Sequence, residues 1–128
     1  ADGRIRYSRA KTHRQYSILV EPEATAIIEV LKGKKALILL ADRYSTTAAV
    51  NLQLNKALKH IGAKLGIAGL TMYHARHSWA TRAAGLDIPK ETIAAALGHG
   101  GSTVTDTYIS FDERKIDTAN RIVLDSIK

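Results

Sequence analysis

The chain has 128 residues, with 19 Lys and Arg against 12 Asp and Glu, five His and 45% hydrophobic residues, a balance that excludes a disordered tail and fits one globular domain. Cysteine is absent, which removes disulfides, thiol nucleophiles and zinc ribbons and makes an intracellular, cytoplasmic setting the expected one. The longest apolar run, residues 36–41, is far short of the ~20 residues that span a bilayer, and the first six residues hold no signal-peptide core, so no membrane partner is expected.

Aromatic residues make up only 5%, so the core must be built from Ala, Leu, Ile and Val. Residues 3–9 and 15–20 both alternate apolar with polar side chains, a period of two that predicts a β-hairpin over about 3–20, with Lys11 lifted on its short connection. Pro22 and Glu23 open a helix that Gly33 stops, and residues 36–40 read as a third short strand. Ser45 or Thr46 can cap a long helix whose Val50, Leu54, Ala57, Leu58, Ile61 and Leu65 share one stripe, ending near Gly66. Thr71 is the expected cap of the next helix and Gly85 its C′ residue. A shorter helix begins at Pro89 and ends at Gly98, with Ile93, Ala96 and Leu97 inward. Ser102 can cap another short helix through about Tyr108. A last helix over about 112–127 has Ile116, Ala119, Val123 and Ile127 in line. The predicted class is mainly α (α+β): one domain over 1–128, made of the hairpin, a helical core over about 22–108 and the C-terminal helix. The chain enters strand-like sequence directly from Ala1, so it reads as part of a longer protein.

A net charge of +7 favours an anionic partner, because clustered cations release counterions when they neutralise phosphates. Arg4, Arg6, Arg9, Lys11 and Arg14 face only Asp2 in the first fourteen residues, which fits either a solvated hairpin or a phosphate-binding one. On the helix over 71–85, Met72, Ala75, Trp79 and Ala83 form a narrow apolar stripe that also contains Arg76. A desolvated guanidinium requires an anion, so Arg76 pairs either with an internal carboxylate or with a phosphate in a cleft. Tyr73 shares that edge of the helix, while His77 reads as a core histidine. His99 stands at a helix C-terminal turn, and Tyr108 follows it by nine positions across the Gly100-Gly101 joint. His74 and His77 have no third ligand or glutamate base at suitable spacing, so no metal is expected.

The string Thr71-Met72-Tyr73-His74-Ala75-Arg76-His77-Ser78-Trp79-Ala80-Thr81 resembles the second-arginine box of the tyrosine recombinase (phage integrase) family, usually His-x-x-Arg-His-Thr-x-x-Thr. Leu97-Gly98-His99 resembles the family's Leu-Gly-His, Tyr108 stands at its nucleophile spacing, and Asp2-Gly3-Arg4-Ile5 through Lys11-Thr12 resembles its lysine-bearing hairpin. The resemblance spans essentially the whole chain and implies a site-specific DNA recombinase that cleaves and rejoins double-stranded DNA. Its implied catalytic set is Tyr108 as nucleophile, Arg76, His99, Lys11 as general acid, and Tyr73 in place of the family histidine. Arg4, Arg6, Arg9 and Arg14 are the expected DNA contacts. No cofactor is implied. In the family four protomers assemble on DNA and the C-terminal helix commonly docks on a neighbour; here that helix can instead pack on its own core, and the isolated piece is expected to be monomeric. The family's first catalytic arginine precedes the hairpin, so this piece alone is expected to be inactive. Two other readings use the same residues: a non-catalytic DNA-binding module in which Tyr108 merely packs, and a type IB topoisomerase-like enzyme that relaxes DNA without strand exchange.

Overall fold

The computed structural model describes residues 2–8, 15–99 and 113–127. Among them an antiparallel pair, β1 (Arg4–Ser8) and β2 (Gln15–Leu19), precedes six helices, the mainly α (α+β) architecture that the patterning predicts. Arg4 pairs with Leu19, Arg6 with Ser17 and Tyr7 with Tyr16, so the Ile5/Ile18 and Tyr7/Tyr16 pairs share one face and the arginines the other. The two tyrosine rings stack at 5.0 Å, and the Val20 N–H donates to the Gly3 carbonyl at 2.9 Å where the hairpin opens.

The helices are α1 (Pro22–Leu31), α2 (Leu39–Asp42), α3 (Thr47–Leu65), α4 (Tyr73–Gly85), α5 (Lys90–Ala96) and α6 (Glu113–Asp125). The described residues divide into two compact units, Pro22–His77 and the remainder, with α4 running through the boundary.

In the unit formed by Ala1–Glu21 and Ser78–Lys128, Ala83, Ile88, Ala119 and Val123 make a small buried core, with Trp79 and Ile93 packed against it. Small side chains dominate it, as an aromatic-poor composition requires. The C-terminal helix α6 buries Ala119 and Val123 within this unit. The left-handed residue after α4 is Asp87, not Gly85: Gly85 is still helical. The Ile88 N–H reaches the Ala83 carbonyl and the Asp87 N–H the Ala84 carbonyl, a Schellman closure that delivers Ile88 into the core. On α5 the buried residues are Thr92 and Ala95, while Ile93, Ala96 and, at its C-cap, Leu97 are half-buried.

In the unit Pro22–His77, α3 starts at a Thr46 cap, whose hydroxyl accepts the Ala49 N–H, and stops at left-handed Gly66. Of its predicted stripe, Val50, Leu54 and Leu58 are half-buried, whereas Ala57, Ile61 and Leu65 are exposed. The residue buried instead is Gly62, where a Cβ would lie 2.6 Å from the Ile67 carbonyl oxygen. The expected strand over 36–40 is not formed: a single Lys32–Ile38 bridge is followed by the one-turn α2. Asp42 is the reason. Its carboxylate accepts the N–H groups of Lys34, Lys35 and Ala36, so the donors that a strand ladder needs are turned inward around one anion.

Those hydrogen bonds, led by the one from Ala36, hold the Asp42 carboxyl below its ordinary value of 3.8. A lowered folded value means that the stabilisation is present above the ordinary value and is lost as pH falls through the folded one. Hydrogen exchange should therefore find the amides of residues 34–36 protected at neutral pH and released in strong acid. Asp42→Asn should release them at every pH, and unchanged protection in that variant would contradict the assignment.

Candidate nucleic-acid interface

The start of α4 is fixed by a local exchange of hydrogen bonds. The Met72 N–H donates to Asn55 Oδ1 on α3 at 2.9 Å, and the Thr71 N–H donates to Nδ1 of His74 at 3.1 Å. The His74 ring also meets the Thr71 hydroxyl, and the His74 N–H returns to the Thr71 carbonyl. The helix therefore begins at Tyr73, with the His74 ring folded back over its first turn; the hydroxyl expected to cap it contacts that ring. The two adjacent residues Tyr73 and His74 therefore stand in different surroundings. His74 holds the helix start, and Tyr73 is 61% exposed one turn before half-buried Arg76.

His77 is exposed rather than a core histidine. Its ring meets Tyr73 edge-on, with centroids 4.6 Å apart and planes at 81°. The i,i+4 spacing of the two rings was readable in the sequence. What it could not reveal is that the first half of α4 lies on a unit where, among the described residues, only Gly62 is buried, so no core is available to enclose an imidazole. The consequence is a tyrosine ring braced from one side, with Arg76 three positions further along the helix.

His99 follows α5. Left-handed Gly98, at φ 70°, turns the chain so that the His99 N–H donates to the Ala94 carbonyl at 2.9 Å and the Gly98 N–H to Ala95 at 3.0 Å. This Schellman closure locks the backbone of His99 to the helix end while leaving the residue exposed. The Leu-Gly-His string thus has a local mechanical meaning: glycine supplies the positive φ that a side-chain-bearing residue resists. Tyr73 and Arg76 belong to the unit Pro22–His77 and His99 to the other. Lys11, Tyr108, Arg9 and Arg14 lie outside the described residues.

The two remaining arginines differ sharply. Arg6 is exposed and pairs with Asp2, whose carboxyl that guanidinium holds below its ordinary value. Arg4 is turned toward α6: Nη1 and Nη2 donate to the two Asp117 oxygens at 2.8 and 3.1 Å, and Nε donates to Ser17 Oγ at 2.7 Å. Both Arg4 and Asp117 are only 15% exposed. Pairing with Asp117 raises the Arg4 value further, so its charge is permanent. The side chain expected to touch DNA is held by protein. Periodicity could show that Arg4 shares a strand face with Arg6, but not that an acid 113 positions away would claim it.

No protein-family model, curated protein or solved structure matches this chain. Among the described residues, no three His, Cys, Asp or Glu side chains form a group that could hold a metal ion, and no helix is long and apolar enough to cross a membrane.

Proposed function

We propose that this chain is the catalytic domain of a tyrosine recombinase, which cleaves and rejoins double-stranded DNA through a 3′-phosphotyrosine. The observation that carries the reading is the order of four elements: a basic hairpin, Tyr73 and Arg76 one turn apart on one helix, the locked Gly98-His99 helix end, and Tyr108 nine residues beyond His99.

In this reading the Tyr108 hydroxyl oxygen attacks the scissile phosphorus and gives its proton to solvent water. The P–O5′ bond breaks, and the departing 5′-oxygen takes a proton from the Lys11 ammonium. Arg76 offers a planar fork of donors to the non-bridging oxygens, and His99 and Tyr73 add hydrogen bonds as negative charge accumulates on them. A 5′-hydroxyl from a partner strand then attacks the phosphotyrosine, restoring a phosphodiester and the tyrosine. Bond energy is conserved, so neither metal nor nucleotide is called for. Four protomers on two DNA sites would carry out strand exchange, and the working location is the DNA of the cytoplasm.

The test is a nicked suicide duplex incubated with the full-length protein. Covalent protein–DNA adducts that survive denaturation and carry a 3′-phosphotyrosine are expected; their absence would leave a binding module. Relaxation of supercoiled DNA without strand exchange would instead favour the topoisomerase-like alternative. The 128-residue chain alone should bind DNA with an affinity that falls steeply with salt.

A further inference from the structure

The positive charge of this chain is unevenly spread. Between Asp42 and Asp87 the sequence holds six of the 19 Lys and Arg and none of the 12 Asp and Glu. The fold gathers three of those six on one helix. At 100° and 1.5 Å per residue, Lys56, Lys59, His60 and Lys64 share an arc of about 140° on α3 and about 12 Å of its length. All four are exposed. The opposite side of the helix, with Leu54, Leu58 and Gly62, is the one its own unit covers.

A solvated helix face ordinarily mixes both signs, because like charges at i,i+4 repel. On α3 the basic residues follow one another at i,i+3 and i,i+4 with no acid among its 19 residues. Among the described residues none of the three lysines is in an ion pair. Cations elsewhere meet acids: Arg4 meets Asp117, Arg121 Nη1 donates to Glu21 Oε2 at 2.9 Å, and Lys32 lies 3.9 Å from Glu29. A repulsive row left without internal anions is complementary to an external polyanion.

We propose that this face of α3 lies along the phosphate backbone of a DNA duplex, as a contact separate from the residues assigned to cleavage; only the choice of DNA as the polyanion rests on the recombinase reading. A duplex suits it better than a single strand, since α3 has no aromatic side chain on which unpaired bases could stack. Contacts of this kind strengthen binding and set register but read no sequence.

The test is the salt dependence of binding by the full-length protein to an unnicked duplex, followed by fluorescence anisotropy. Each phosphate contact adds about 0.9 to the slope of log affinity against log salt. Lys56→Gln, Lys59→Gln and Lys64→Gln together should make the slope shallower by about 2 to 3 and weaken binding about tenfold or more at low salt. The control carries Lys32→Gln, Lys34→Gln and Lys35→Gln, which remove the same charge from an exposed turn and should change the slope by less than about 1. These exposed substitutions disturb no buried contact, so both variants keep the parent fold. An unchanged slope in the first variant overturns the proposal, and equal changes in the two variants do so as well, because the effect is then one of net charge. Tighter binding of the parent protein to anionic lipid vesicles or to single-stranded RNA than to the duplex overturns the choice of partner. Covalent capture of a nicked duplex is scored separately. Capture with an unchanged slope overturns the α3 face alone, whereas a shallower slope without capture supports the face and overturns the recombinase reading.

Discussion

Tyr108→Phe in the full-length protein is expected to abolish covalent capture of nicked DNA while leaving reversible binding near the parent level. The substitution deletes one oxygen and retains the ring, so a tyrosine that only packs would hardly notice it. A tyrosine that forms the phosphodiester linkage cannot be replaced, because phenylalanine has no atom with which to attack. Loss of a nucleophile of this kind lowers turnover by about 10⁵-fold or more. The Gly98 turn fixes the His99 backbone to the end of α5. A denaturation-resistant adduct formed by Tyr108→Phe would move the nucleophile elsewhere.

The parts of the fold that were legible in the sequence are those with a local cause. Alternation drew β1 and β2, Pro22 opened α1, Thr46 and Gly66 bounded α3, and Gly98 closed α5, because each depends on a backbone preference within a few residues. Errors arose where a distant or less usual partner won. Residues 36–40 carry strand-forming side chains, yet Asp42 captures the backbone donors of 34–36 and forces a turn. Asp87 takes the left-handed position that Gly85 was expected to fill, because ending the helix there sends Ile88 into the core, and asparagine-like side chains tolerate that conformation.

The candidate site divides in the same way. Arg76 and Tyr73 follow from helical spacing, and the fixed backbone of His99 follows from its glycine. The Arg4–Asp117 and Glu21–Arg121 pairs join residues about a hundred positions apart, and nothing in the spacing of either segment announces them. A basic cluster in sequence is a count of charges. Which acids meet them depends on the fold, and here Asp117 holds Arg4 at low exposure while Arg6, paired with Asp2, stays on an exposed strand face.

Lys11 tests the same distinction by chemistry. A lysine on a basic hairpin can attract phosphate, or it can protonate the oxygen that leaves, and the two roles separate when the need for a proton is taken away. Lys11→Ala should cleave an ordinary phosphodiester about 10²–10⁴-fold more slowly, the range for loss of a general acid, and recover on a substrate with sulfur at the 5′-bridging position, whose thiolate departs without a proton. Arg76→Ala is the necessary companion. Its guanidinium is proposed to neutralise the non-bridging oxygens, whose charge grows whichever atom departs, so its loss of about 10²–10³-fold should persist on both substrates. Rescue of Lys11→Ala alone would place the two cations at different oxygens of one transition state. Equal defects for Lys11→Ala on both substrates would make it a phosphate contact, with the departing 5′-oxygen drawing its proton from water while Arg76 and His99 still serve the non-bridging oxygens.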